Sequence, residues 1–128
     1  MSNRKFMVNK ASDADWQTGL RSFFEYRDIG VAEATGGEFG AQIVRARAGG
    51  GDEGDHGTSM HRHGTGFHLV FVLKGECTFW FKGYGEIDFK QGDCWFQPDG
   101  LVHEERSVSN DFEVLEINSP HDFLTTDQ

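Results

Sequence analysis

Apolar and polar residues alternate with a period of two through much of this chain, most clearly between positions 39 and 48. There Phe39, Ala41, Ile43, Arg45 and Arg47 fall on one face, which predicts a strand because side chains alternate across a pleated backbone. His68 to Lys74 is a nearly continuous apolar run and is expected to be a strand buried on both faces. Cys77 to Lys82 follows, with Cys77, Phe79 and Phe81 on one face and Thr78 and Trp80 on the other. Shorter strands are expected at Glu86 to Lys90, Asp93 to Gln97, Val102 to Val108 and Phe112 to Asn118. Turn signals separate them: Gly75-Glu76, Gly83-Tyr84-Gly85, Gln91-Gly92 and Pro98-Asp99-Gly100. Pro120 is expected to end the ladder.

The first third is less regular. Ser12 is placed to cap a short helix over Asp13 to Leu20, and Ser22 to Tyr26 and Ile29 to Glu33 read as short strands. Thr35-Gly36-Gly37 turns the chain, and Gly49 to Ser59 reads as a Gly- and Asp-rich loop. The close spacing of many short strands, with almost no helix and no internal repeat, predicts an all-β sandwich or barrel.

Composition narrows this picture. The 128 residues suit one domain, and 12 Phe give large buried area to a modest 37% hydrophobic content. Seventeen Gly and two Pro fit tight turns better than long helices. The formal net charge of −9, with no Lys/Arg cluster, argues against nucleic acid and anionic membranes as partners. The longest apolar stretch, about Phe67 to Leu73, is far shorter than the roughly 20 residues a membrane-spanning helix needs. The N-terminal Met-Ser-Asn-Arg-Lys carries no apolar segment, and Cys77 and Cys94 are the two cysteines. Buried, reduced thiols in a cytoplasmic protein are therefore expected.

Candidate chemistry centres on histidine. His61 and His63 are two apart, so on a strand they share a face and can grip one cation. His68 follows after a Gly-containing bend, and His103 lies just past Pro98-Asp99-Gly100, on a strand that an antiparallel fold can bring alongside the first pair. His56 and His121 read as solvated loop and tail residues. By strand parity Glu105 shares a face with His103 and Glu104 points the other way, while Glu116 shares one with Val114. Glu105 and Glu116 are candidate acid–base groups, and Arg45 and Arg47 are candidates to bind a substrate carboxylate. No Ser-His-Asp or Cys-His arrangement and no phosphate loop is evident, since Gly49-Gly50-Gly51 lacks the Lys-Ser/Thr of a P-loop.

These residues resemble the two motifs of the cupin superfamily. The first reads His61-Arg62-His63, four residues, His68 where a Glu is usual, six residues, then Gly75; its leading Gly would fall at Asp55, with Gly54 and Gly57 nearby. The second reads Gly92, five residues, Pro98-Asp99-Gly100, two residues, His103, with Ser107 in place of a final Asn. The resemblance covers about 39 to 120 and implies a single antiparallel, jelly-roll-like cupin β-barrel. An N-terminal strand/helix extension (1–38) would pack on that barrel (39–120), and 121–128 would form a tail. It further implies a homodimer, a small-molecule ligand or substrate, and one divalent transition metal (Fe, Ni, Zn, Mn or Cu) held by His61, His63, His68 and His103. Four neutral imidazoles leave the ion its full charge and disfavour Mg and Ca. The expected function is a metal-dependent enzyme acting on a small organic molecule, dioxygenase-like first. A lyase or isomerase using the metal as Lewis acid, a non-catalytic binding or sensing barrel, and a metal-stabilised structural barrel are the alternatives.

Overall fold

The computed structural model describes residues 4–18, 23–46, 61–64, 66–120 and 124–127, with the backbone alone for 61–64 and 124–127. The described residues form two antiparallel sheets that face each other. The first runs in the order β1 (Gln17–Thr18), β2 (Phe24–Asp28), β3 (Gly40–Ala46), β10 (Glu113–Ser119), β5 (Phe67–Lys74), β8 (Cys94–Phe96). The second runs β11 (Leu124–Asp127), β4 (His61–Gly64), β9 (His103–Val108), β6 (Glu76–Phe81), β7 (Gly85–Lys90). From β3 onward the chain passes back and forth between the sheets, except at the β6–β7 hairpin, as in a jelly roll. Among the described residues no ladder joins the sheets, so they form the two layers of a jelly roll and meet through their inward side chains.

The core lies between the sheets. Val44, Val70, Val72 and Val114 come from the first sheet and meet Cys77, Phe81, Phe89 and Val108 of the second, with Val72 fully buried. Trp95 closes this core against Phe89, Phe79 and Phe81, at ring centroid separations of 4.2, 5.0 and 6.1 Å. Burying such side chains contributes about 1.5–3 kcal/mol each, and this is what clamps two sheets lacking a shared ladder.

Several local expectations change. The helix expected over Asp13 to Leu20 is absent from its described part, 13–18: a 3-10 turn at Ala11–Asp13 precedes β1, which pairs with β2. The segment has no apolar stripe to bury as a helix, and sheet pairing satisfies its backbone instead. Ile29 to Glu33 is not a strand. Gly30 adopts φ +90° and donates its N–H to Asp28 Oδ1 at 2.8 Å, and this Asx turn launches the short helix α1 (Val31–Ala34). β5 is buried on one face only: His68, Val70 and Val72 point inward while Phe67 and Phe71 are exposed. The chain also pairs beyond Pro120, where β11 joins β4. Both cysteines are free thiols, but Cys94 is exposed rather than buried.

Candidate metal centre

His68 and His103 turn inward, one from each sheet. His68 lies on the inward face of β5, in line with Val70 and Val72, and is 4% exposed. His103 begins β9, pairs with Phe81 of β6, and is 3% exposed. Gln97 bridges them. Its backbone N–H donates to the His68 carbonyl at 2.8 Å, and its side-chain amide nitrogen lies 3.4 Å from His103 Nε2.

The tautomer of His103 follows from its partners. Nδ1 lies 3.0 Å from the Leu101 carbonyl, which can only accept, so Nδ1 carries the proton and donates. Nε2 then holds the lone pair and faces the interior beside Gln97. Metal-ligating histidines are commonly oriented in this way, the second nitrogen donating to a backbone carbonyl. The Leu101 carbonyl belongs to the Pro98-Asp99-Gly100 turn region, so the turn that delivers the strand also aligns its first side chain.

The backbone of β4 brings the other two candidate positions to this end. His61 is the Cα partner of His103, and alternation puts position 63 on the same face as position 61. The side chains of His61 and His63 lie outside the described residues, as do His56, His121 and Arg47. Among the described residues no group of three or more His, Cys, Asp or Glu side chains is close enough to hold a metal.

Carboxylates and amides complete the inner surface. Glu116, on β10 beside β5, lies with Oε2 4.0 Å from His68 Nε2, while its Oε1 accepts from Gln42 Nε2 at 3.0 Å. Glu105, opposite Phe79, is 4% exposed, and Asn118 is buried with Nδ2 donating to the Pro120 carbonyl. Glu104 turns outward, where it pairs with Arg106 at 2.7 Å. Arg45 is not in the interior. It extends from the outer face of β3, donates to Glu25 at 2.9 Å and stacks over Trp16 at 3.7 Å. Its parity with Ile43 makes it a brace for the N-terminal segment.

Gln97 and Gln42 escaped the sequence reading. Each carried a signal: Gln42 alternates with Val44 on the core face of β3, and Gln97 immediately precedes the turn at Pro98. A polar residue in an apolar alternation is costly to bury without a partner, and so marks one.

A cleft of about 520 Å³ lies at the other end of the second sheet, lined by Glu76, Thr78, Asp88, Lys90 and Ser107 among others. Cys77 at its floor is a thiol pushed up to about 12, by burial first and then by the charges of Glu105, Asp88 and Asp93. It is therefore neutral and unreactive near pH 7.

A family model for the cupin domain matches residues 51–118, more than half of the chain. No curated protein matches it significantly. Among solved structures, the polyketide cyclase RemF from Streptomyces resistomycificus is similar at 14% identity, over 96% of this chain and 85% of that one, with a TM-score of 0.77. KdgF from Halomonas sp. is similar at 18% identity, over 89% and 94%, with a TM-score of 0.70. Oxalate decarboxylase from Bacillus subtilis, a protein with Mn(II) centres, is similar at 18% identity over 98% of this chain but 34% of that one, with a TM-score of 0.66. At such identities the likeness speaks to the fold alone. Matched family model, paired sheets and inward histidines agree, and the chain belongs to the cupin family.

Proposed function

We propose that this cupin is a metal-dependent enzyme acting on a small organic molecule between its two sheets, with Glu116 as the group that moves a proton. The observation that carries this reading is the polar cluster His68, Glu116, Gln42, Gln97 and His103 on inward faces that elsewhere hold valine and phenylalanine. Burying such groups costs stability that apolar residues would supply, so they are expected to be retained for function.

His61, His63, His68 and His103 would hold one divalent transition metal ion. The donor chemistry fits: His103 presents its lone pair at Nε2, and imidazole suits Fe, Ni, Zn and Cu; Mn, the metal named for the Bacillus oxalate decarboxylase, is the further candidate. Such an ion, when bound, supplies a Lewis acid for a carbonyl or enol oxygen. Glu116 is suited to take a proton from the carbon beside that oxygen. Gln42 anchors Oε1, so Oε2 keeps one direction, toward His68. Glu105 offers a second carboxylate from the opposite sheet. The apolar ring of Phe79, Phe81 and Trp95 below excludes water from the reacting groups.

This points to a lyase- or isomerase-type reaction. A dioxygenase is the second reading, favoured by position 68, where an inward imidazole stands in place of the usual carboxylate. The test is deuterium exchange from solvent into a panel of hydroxy-ketones and keto-acids, run beside oxygen uptake with anaerobically loaded Fe(II). Exchange without oxygen consumption is the expected result. Glu116→Gln should lower it by about 10²-fold or more while metal content stays unchanged. Oxygen-coupled turnover would move the assignment to the second reading, and neither activity in metal-loaded protein would leave a binding barrel. A His61→Ala, His103→Ala double variant that keeps stoichiometric metal would overturn the ligand set.

A further inference from the structure

The buried side chain of Gln97, which directly follows β8, sits in a directed series of hydrogen bonds. The Trp95 indole N–H can only donate, and it lies 3.3 Å from Gln97 Oε1. The amide nitrogen is thereby turned toward His103, with Nε2 of Gln97 3.4 Å from Nε2 of the imidazole. At the far end His103 Nδ1 donates to the Leu101 carbonyl at 3.0 Å, so the imidazole Nε2 is an acceptor. The series Trp95, Gln97, His103, Leu101 therefore runs in one direction. Reversing the amide or the tautomer would set donor against donor and acceptor against acceptor.

We propose that Gln97 is a positioning residue that competes with a metal ion for His103, and that its amide must turn away before the ion can be held. The proposal rests on the reading of His103 as a ligand through Nε2. A neutral imidazole has one such lone pair, and it cannot serve an amide N–H and a metal ion together.

The geometry favours competition over support. His103 does not depend on Gln97 for its orientation. Its Nδ1 is tied to Leu101, and its ring packs beside Phe79 and Phe81, each at 6.4 Å between centroids. Removing the amide thus leaves the lone pair presented. Gln97 can also release it without moving the main chain, because its backbone N–H is fixed separately to the His68 carbonyl at 2.8 Å. Only side-chain torsions need change. The exchange has a cost. Gln97 is 3% exposed among aromatic rings, and a buried amide is expensive unless its polar atoms are partnered. The hydrogen bond to His103 is what the ion must replace, and a bond of this kind shifts an equilibrium by about two- to tenfold.

Zn(II) titration of the chelator-treated full chain against a competing chromophoric chelator tests this. Gln97→Leu has neither a donor nor a metal-binding atom, and it should tighten Zn(II) binding by about two- to tenfold over wild type, with circular dichroism unchanged. A residue that merely supported His103 would weaken binding when removed, so the sign separates the two roles. Trp95→Phe, which frees Oε1 and lets the amide turn, should also tighten binding and is the second variant should Gln97→Leu fail to fold. Nitrogen-15 NMR of the imidazoles gives a readout without metal. His103 should be protonated at Nδ1, and its Nε2 resonance should move in Gln97→Leu as the hydrogen bond is lost. Zn(II) binding that His103→Ala abolishes but folded Gln97→Leu leaves equal or weaker would overturn the inference and keep the ligand reading. A His103 protonated at Nε2 would overturn it by NMR alone. Unchanged Zn(II) affinity in His103→Ala would overturn the ligand reading and the inference with it.

Discussion

Position 68 carries an imidazole where the motif that this chain resembles has a carboxylate, and that imidazole is turned inward, 4.0 Å from Glu116. A carboxylate stands on the neighbouring strand: Glu116 of β10 sits diagonally across from His68 of β5, whose direct partner is Asn118. A carboxyl group thus stands beside the inward imidazole, from a different strand. At the same scale, Cys77 shows how burial sets chemistry. Its thiol is pushed from the usual 9.0 up to about 12, mainly by burial and then by Glu105, Asp88 and Asp93. Below about pH 9 both folded and unfolded thiols are protonated, and the contribution to stability is complete. Between about 9 and 12 the unfolded thiol ionises first, so stability falls as pH rises. Urea unfolding across that window should fall less steeply for Cys77→Ala than for wild type, and equal slopes would refute the assignment.

Among elements, the β5–β6 turn depends most on one residue. Gly75 adopts φ +77°, and a Cβ there would meet Ser109 Oγ, Asp111 Oδ1 at 2.7 Å and the Phe112 Cα at 2.9 Å. The backbone atom cannot swing aside. Those neighbours are also engaged: Ser109 Oγ accepts from the Glu76 N–H at 2.9 Å and donates to Asp111 at 2.7 Å, locking the β9–β10 turn against the β5–β6 turn. Gly75→Ala should therefore destabilise by about 3 kcal/mol, from the left-handed backbone and the overpacking together. Thermal or denaturant unfolding checks this. Gly83→Ala, at similar φ but with nothing within 4 Å, should cost less.

The strands of the second half were readable in advance because alternation and Gly-centred turns are local signals. Glu105 on the face of His103 and Glu104 on the other followed from the same parity. The helix at Val31–Ala34 was not readable. Its β-branched start and single apolar step resemble a strand, and only the Asx turn at Asp28-Ile29-Gly30 redirects it. The both-face burial expected of β5 failed for a different reason: an apolar run is the same whether its second face meets a helix, a second copy or solvent.

At the scale of the whole molecule, the two sheets share packing but, among the described residues, no ladder. The candidate ligands straddle that division, with His68 on one sheet and His61 and His103 on the other. A bound ion would therefore tie the sheets together, and its removal should loosen them. With free metal at about 100 times its Kd, chelation should cost about 2.7 kcal/mol, lowering Tm by roughly 10 °C in a domain of this size. Calorimetry with and without chelator measures this, and an unchanged Tm in protein shown to bind metal would refute a ligand set drawn from both sheets.

By itself the sequence determined the alternation of each strand, the turns between them, the spacing that pairs His61 with His63 and the relative faces of His103, Glu104 and Glu105. All are properties of a few neighbouring residues. The tertiary structure alone decided which of two alternating faces turns inward. It sent Arg45 out to Glu25 and Trp16, left Phe71 at the surface, and joined Gln42 to Glu116 across 74 positions of chain. Periodicity gives relative faces only. Their absolute sense, and the partners that buried polar groups must find, are fixed when distant strands meet.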